Sequence, residues 1–237
     1  MMTDDISFNS RDAQLARQLI AEARGVASVA GRAKLISSRF IDLPYIVNPL
    51  AGSPNAPERL IVRFDGFDCV TYVETVLALS LARGVREFPV KLSELRYEDG
   101  QVEWSKRFHY TSDWAAYQLR RGLLRDMTLG EGAVVREKTL SFIPGLKPKT
   151  IQLRYYPKEQ FAYVSRWLTD GDLIYFLSTR RNLDIFHVGF VFREGDQLLI
   201  RHARHMRRRV FEQPLAEFVK VIKSPGFIVN RLNEAAR

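Results

Sequence analysis

Apolar positions recur every three or four residues in three stretches of the N-terminal part of the chain. Leu15, Leu19, Ile20 and Ala23 give one apolar side, with Ser10 as a cap and Gly25 as a stop, so the spacing predicts a helix over residues 11–24. A second helical stretch is expected over 26–40. Val70, Val73, Leu77 and Leu81 repeat at the same spacing behind Asp68, an N-cap residue, and ahead of Gly84, which predicts a third helix over 69–83. The prolines of PLAGSPNAPER mark a loop between them rather than a domain linker. Further on the period changes. Residues 92–104, LSELRYEDGQVEW, read as two strands around a turn at Asp99-Gly100, and 125–160 is irregular and strand-rich. A turn at Asp170-Gly171-Asp172 feeds the strand LIYFL, and the chain closes with strands around 209–212 and 227–231. Helices first and strands after make an α+β chain, expected as one domain over 1–237 whose first 55 residues form a helical portion packed on the core.

The strand IFHVGFVFR, 185–193, alternates in two sets. Phe186, Val188, Phe190 and Phe192 share one face; Ile185, His187, Gly189 and Val191 share the other. A turn at Glu194-Gly195-Asp196 leads into QLLIRHAR, where Leu198, Ile200 and His202 share a face. With an even loop, Arg193 pairs with Leu198, and His187 and His202 lie diagonally on one face beside the small Gly189. An odd loop would put them on opposite faces.

This register matters because of Cys69, the single cysteine, which falls in the first turn of the third predicted helix. Unpaired backbone N–H groups and the positive end of the helix dipole favour a thiolate there and can also hold an oxyanion. Taken singly, Cys69 reads as a small buried apolar residue, His187 as a core histidine and His202 as a surface one in a basic run. Together they supply a nucleophile, a base for its proton and a group to orient that base. A metal site of Cys69, His187, His202 and His109 would lack the close ligand pairs that metals favour, so neither metal nor other cofactor is expected.

These residues resemble the NlpC-type papain-fold cysteine hydrolases of bacterial cell walls, in which an Asp-Cys pair opens a helix, a His-Val-Gly strand follows and a His-Ala strand supplies the third group. The narrower resemblance is to the N-acetylmuramoyl-L-alanine amidase-like branch. Its D-C-x-T-F-V-E motif is matched by Asp68-Cys69-Val70-Thr71-Tyr72-Val73-Glu74, its L-G-x-P-Y turn in part by Asp42-Leu43-Pro44-Tyr45, and its R-x-H-aromatic segment ending in D-W by Arg107, His109, Tyr110, Asp113 and Trp114. The similarity spans roughly 38–230. The family's glycine before the Pro-Tyr pair is replaced within Ile41-Asp42-Leu43, and the serines that often follow the His-Ala pair are here Arg204 and His205.

The resemblance implies a papain-like fold, helices on a central antiparallel sheet with the catalytic cysteine at a helix N-terminus, and an amidase acting on muropeptides at the bond between the lactyl group of N-acetylmuramic acid and L-alanine. Cys69, His187 and His202 would form the catalytic triad. Tyr45 would join the Cys69 N–H at the oxyanion, and Asp68, Thr71, Arg107, His109 and Trp114 would contact substrate. Glu74, one turn into the helix with no second carboxylate to work with, reads as an internal ion-pairing residue. Two other functions fit the same residues: an endopeptidase of the same superfamily, cutting between D-glutamate and the diamino acid, and a non-catalytic basic binding module with an incidental thiol.

Composition narrows the field. A chain of 237 residues with 46% hydrophobic residues can bury one sizeable core. No run of 18 apolar residues is present, so no transmembrane helix is expected, and MMTDDISFNSRD has no signal-peptide pattern; work in the cell envelope or periplasm would follow removal of an export signal. A single cysteine is silent on redox compartment. The net charge of +9 favours anionic surroundings and concentrates in RHARHMRRR, 201–209. That run reads as a solvated strand end or as a rim that attracts the carboxylates of a peptide. Nucleic acid is not expected, since no zinc-finger, RNP-like or helix-turn-helix pattern accompanies the charge.

Overall fold

The computed structural model describes residues 6–235. They fall into two compact units: residues up to Phe108 with His202–Phe211, and His109–Arg201 with the residues from Glu212 on.

The first unit holds a short parallel pair, β1 (Ile6–Ser7) and β2 (Leu60–Ile61), and four helices: α1 (Ser10–Ala23), α2 (Val29–Ser38), α3 (Cys69–Leu81) and α4 (Phe88–Arg96). α3 is apolar almost all round, and every residue from Thr71 to Ser80 is buried. Such a helix has no solvent face to offer, so it takes the centre, with α1, α2 and α4 packed on it. Several expected boundaries shift, and α2, expected over 26–40, is shorter at both ends. α1 is capped by Asn9, not Ser10, because Asn9 Oδ1 accepts the Asp12 N–H at 2.8 Å. α3 ends at Leu81, where Ala82 turns extended and Glu87 Oε2 takes the Arg83 N–H at 2.7 Å. Residues 92–96, expected as a strand, are the end of α4. Pro89 sits in its first turn, and buried Phe88, Leu92 and Leu95 keep helical spacing; reading from Leu92 missed the start. Asp99-Gly100 turns as a single 3-10 turn, but the strand expected after it is not formed, and Trp104–Lys106 is a further 3-10 turn.

The other strands are β3 (Leu124–Asp126), β4 (Val134–Leu140), β5 (Lys149–Pro157), β6 (Leu173–Leu177), β7 (Ile185–Glu194), β8 (Gln197–Arg204), β9 (Arg209–Pro214) and β10 (Gly226–Leu232). They form one sheet in the order β4-β5-β10-β6-β7-β8-β9, with β3 on β10, and the registered pairs are antiparallel. The fold is therefore mixed α+β with a mostly antiparallel sheet. Three helices of the second unit, α5 (Thr111–Arg120), α6 (Phe161–Val164) and α7 (Leu215–Val221), were not expected from the sequence. Among the described residues no helix is long and apolar enough to cross a membrane.

The β7–β8 register is that of the even loop: Glu194 faces Gln197, Arg193 faces Leu198, and the ladder continues to Phe190 and Arg201, with Gly195 at φ 56 in the turn. The expected face of Ile185 is corrected by a bulge. Phe176 pairs with His187, yet the next pair is Leu177 with Ile185, so Phe186 is an extra residue, 41% exposed. That extra residue resets the alternation. His187 keeps the face of Phe176 and Val191, over which α7 packs through Phe218, whereas Ile185 moves to the face of Tyr175 and Leu177.

Candidate active site

In the first unit the chain entering α3 and the chain around Tyr45 are tied backbone to backbone. Phe67 N–H donates to Pro44 O at 3.0 Å, and Ile46 N–H donates to Phe67 O at 2.9 Å. Gly66 makes this approach possible: at φ 157, a Cβ there would stand 2.5 Å from Pro44 O. On its other side the same segment binds 208–210, with Tyr45 N–H on Arg208 O at 2.9 Å, Val210 N–H on Leu43 O at 2.8 Å and Asp42 N–H on Val210 O at 2.9 Å. Tyr45 is thus strung between the residues preceding Cys69 and the segment 202–211 that carries His202 and His205. Asp42 fills the position of the replaced glycine, and it adopts φ 70, a left-handed conformation that Asp tolerates better than most residues. Its carboxylate pairs with Arg209 at 3.0 Å, so the turn survives the substitution.

Cys69 begins α3 and is half-buried. Asp68 caps the helix: its Oδ1 accepts from Val70 N at 3.0 Å, Thr71 N at 2.7 Å and Thr71 Oγ1 at 2.8 Å, while the Asp68 N–H donates to Thr71 Oγ1 at 3.1 Å. This reciprocal capping box fixes the backbone on both sides of the cysteine. Asp68 Oδ1 and Thr71 Oγ1 are therefore committed to the cap. Burial pushes the Asp68 carboxyl up, opposed by those hydrogen bonds and by the charge of Arg96. The Tyr45 phenol is pushed up strongly, first by burial and then by negative charge at Cys69 and Asp68, so it remains a neutral hydroxyl able to donate. The Tyr45 ring meets His205 edge-on at 5.2 Å. His202 is fully buried, its ring 5.0 Å from that of Phe211. It is not the surface histidine that its basic neighbours suggest.

Arg107 is engaged elsewhere. Its Nη1 donates to Glu58 Oε1 at 2.9 Å, Glu58 Oε2 at 3.0 Å and Ala51 O at 2.6 Å, and Tyr97 Oη adds a bond of 2.9 Å to Glu58. The guanidinium pins the proline-rich loop, and nothing in that loop's composition singled out Glu58 as its partner. Glu74 is an internal ion-pairing residue, as expected: Arg96 Nε donates to it at 2.7 Å with both groups buried, and Arg96 Nη1 also holds Ile61 O at 2.8 Å.

In the second unit His187 is buried against Phe176, with centroids 6.3 Å apart and near-parallel rings, and against Phe218 at 5.4 Å. His109 is half-buried just ahead of α5. Trp114, on α5, packs on Tyr175 at 6.4 Å. Since Tyr175 and Phe176 are successive residues of β6, Trp114 and His187 lie on opposite faces of the sheet. Among the described residues no group of three or more His, Cys, Asp or Glu side chains is arranged to hold a metal. Sequence reasoning missed His205 as the ring partner of Tyr45, because the run around it was read for charge alone.

Residues 35–227 match the model of the AmiA-like family, described as N-acetylmuramoyl-L-alanine amidase-like. No curated protein matches the chain. Among solved structures, protein LPG0564 of Legionella pneumophila, of the DUF1460 family, is similar at a TM-score of 0.83 with 23% identity over 94% of both chains. An N-acetylmuramoyl-L-alanine amidase of Bacteroides uniformis is similar at 0.73 and 24% identity over 94% of this chain and 100% of that one. A further B. uniformis structure of that name matches at 0.72 and 27% identity over 83% of this chain and 97% of the other. The present chain belongs to the AmiA-like, N-acetylmuramoyl-L-alanine amidase-like family.

Proposed function

We propose that the protein is a papain-like, NlpC-type cysteine amidase that hydrolyses the bond between the lactyl group of N-acetylmuramic acid and L-alanine in peptidoglycan fragments. The observation that carries this reading is the placement of the thiol. Cys69 stands at the mouth of α3 under a complete Asp68–Thr71 capping box, and the Tyr45 phenol is kept neutral next to it. Family membership supports the substrate class.

In this mechanism Cys69 thiolate attacks the amide carbonyl carbon. The carbonyl oxygen gathers negative charge and is held by the Cys69 N–H and the Tyr45 hydroxyl. His187, having taken the thiol proton, delivers it to the nitrogen as the C–N bond breaks, and the stem peptide leaves as a free amine. Water then loses a proton to His187 and attacks the thioester; the C–S bond breaks, releasing the muramyl carboxylate and restoring the thiol. His202 orients His187, and the chain works as a single catalytic domain. Asp68 and Thr71 act by shaping the helix mouth. Among the other sequence candidates, His109 remains a substrate contact, while Arg107 and Trp114 hold structure. The exposed Arg207 and Arg208, with half-buried Arg204, offer charge for stem-peptide carboxylates. The work belongs to the bacterial cell envelope.

The test uses a muramyl-peptide and the matched free stem peptide, with products weighed by mass spectrometry. Release of an intact L-alanine-terminated peptide from the first, and no cleavage of the second, is expected. Cleavage of the free peptide between its second and third residues would replace this reading with the endopeptidase one.

A further inference from the structure

The sheet face opposite His187 carries a cleft of about 460 Å3 in the second unit, between α5 and the β4–β5 hairpin. Its volume lies within the range of small-molecule sites. Side chains of α5 form one apolar wall, Ala115, Ala116 and Leu119, and Ile185 and Ile228 extend it at the base. Among the polar residues of the lining, Tyr175, Asn230 and Asp126 meet on the sheet at its base. Tyr175 is fully buried and Asn230 is 1% exposed, yet neither Tyr175 Oη nor Asn230 Oδ1 has a hydrogen-bond partner. Asp126 faces Asn230 directly across the β3–β10 pair, and Tyr175 faces Ile228 on the adjacent β6–β10 pair.

Orphaned polar atoms at such depth each cost on the order of 1–3 kcal/mol, so a fold keeps them where something else supplies the missing partner. The orientation of the Asn230 amide is fixed, because its Nδ2 donates to Val229 O at 3.1 Å; reversal would set two oxygens against each other. The atom turned to the cleft is therefore an acceptor. Asp126 keeps one oxygen on the Thr128 N–H at 2.7 Å and adds negative charge, which together with burial holds the Tyr175 phenol protonated. At the base, an amide oxygen, a hydroxyl oxygen and the Asp126 carboxylate offer three acceptors and one negative charge, while Asp113 and Arg154 in the rest of the lining carry opposite charges. An ammonium has three donors and one positive charge.

We infer that this cleft binds a small primary amine, its ammonium set among Asn230, Tyr175 and Asp126 and its short apolar body against α5. This site is separate from the proposed hydrolytic one: it uses none of its residues and lies on the sheet face opposite His187. An amine on a short chain gains from both parts of the cleft, whereas the matched alcohol loses the charge and the matched carboxylate is repelled by Asp126.

The test titrates the full-length protein, labelled with 15N, with pentylamine, pentanol and pentanoate, following backbone amides of α5 and the Trp114 indole. Pentylamine should shift these signals saturably and bind at least about tenfold more tightly than pentanol, with pentanoate weakest. Tyr175→Phe keeps the ring against Trp114 and removes only the hydroxyl; it should weaken pentylamine about tenfold while raising thermal stability, since an unsatisfied group is lost. Asn230→Ala provides a second arm and should weaken pentylamine similarly. Equal binding of pentanoate, unchanged affinity in both variants, or no saturable shift with any probe, the result if the cleft holds only water, would overturn the inference.

Discussion

Tyr45 and His205 meet edge to face, centroids 5.2 Å apart at 80°, while the Tyr45 N–H is held by Arg208 O. Ring and backbone thus fix Tyr45 independently of its hydroxyl, which separates position from chemistry. Tyr45→Phe should leave the melting temperature within a degree or two of the parent and lower kcat by about 10² if the hydroxyl serves the oxyanion. His205→Ala loosens the ring contact alone and should cost only about twofold to fivefold in kcat/KM. Steady-state hydrolysis of a muramyl-peptide by the two variants measures both; a larger loss in the histidine variant would give His205 a direct role.

Cys69→Ala removes a sulfur from a half-buried first-turn position and little packing, so it should abolish hydrolysis and leave circular dichroism unchanged. Alkylation of the parent by iodoacetamide at neutral pH should inactivate it in step with modification, as an incidental buried thiol would not. Asp68→Ala takes away the acceptor for two backbone N–H groups and one hydroxyl. It should destabilise by about 1–2 kcal/mol in urea titration and slow the alkylation.

The Glu74–Arg96 pair yields a pH-dependent prediction. Burial pushes the Glu74 carboxyl up, and the charge of Arg96 pulls it down. Arg96→Met removes the main opposition to burial and leaves only the weaker pull of Arg107, so the folded-state value climbs further above the unfolded one. A carboxyl shifted upward is accommodated while protonated, below its unfolded value, and the fold weakens as pH rises through the folded value. The variant should therefore lose about 3–5 kcal/mol near neutrality and recover much of it in mild acid. Glu74→Leu combined with Arg96→Met should fall much closer to the parent at both pH values. Urea unfolding at the two pH values measures this.

The parts of this molecule legible in the sequence are those decided by nearby residues. Asp68, read as an N-cap, places Cys69 in the first turn of α3, and the β7–β8 register is one of the two that the turn at Glu194-Gly195-Asp196 left open. What stayed hidden depends on distant partners. Glu58 reads as one more polar residue in a loop until Arg107, 49 residues on, folds against it. Asp42 looks like a lost turn until Val210 and Arg209 hold it at φ 70. Phe186 belongs to the apolar alternation, and only its pairing with β6 reveals the bulge that sends Ile185 to the other face. The start of α4 was local and available, in Pro89 and the Phe88, Leu92, Leu95 spacing, but a window opened at Leu92 hides it.

The tip between β8 and β9 exposes Met206 at 81% with Arg207, Arg208 and Arg209 beside it, and Arg208 takes φ 56. Arg209 is spent on Asp42, whereas the Arg207 guanidinium lies over the Phe211 ring at 5.7 Å. Replacing Arg207 and Arg208 together by Gln should raise KM for a muramyl-peptide about threefold to tenfold in low salt and leave kcat unchanged. The difference from the parent should shrink as salt rises through the range that screens exposed charges. Amidating the stem carboxylates should remove it as well. A kcat effect that salt does not touch would take the tip out of substrate attraction.

The two strand histidines should separate by role. His187→Ala removes the group proposed to carry the proton and should cost as much as losing Cys69, because members of one catalytic unit are not additive; the Cys69→Ala, His187→Ala double variant should be no worse than either single one. His202 is fully buried beside Phe211, so His202→Ala opens a small cavity as well as removing a polar group. His202→Asn keeps an acceptor and part of the volume. If His202 orients His187, asparagine should retain about tenfold more kcat than alanine at matched folding, and the acidic limb of its pH–rate profile should move, since the imidazole being titrated has a different partner. Equal kcat and an unmoved profile for the two substitutions would leave His202 a packing residue and the orienting role without a holder.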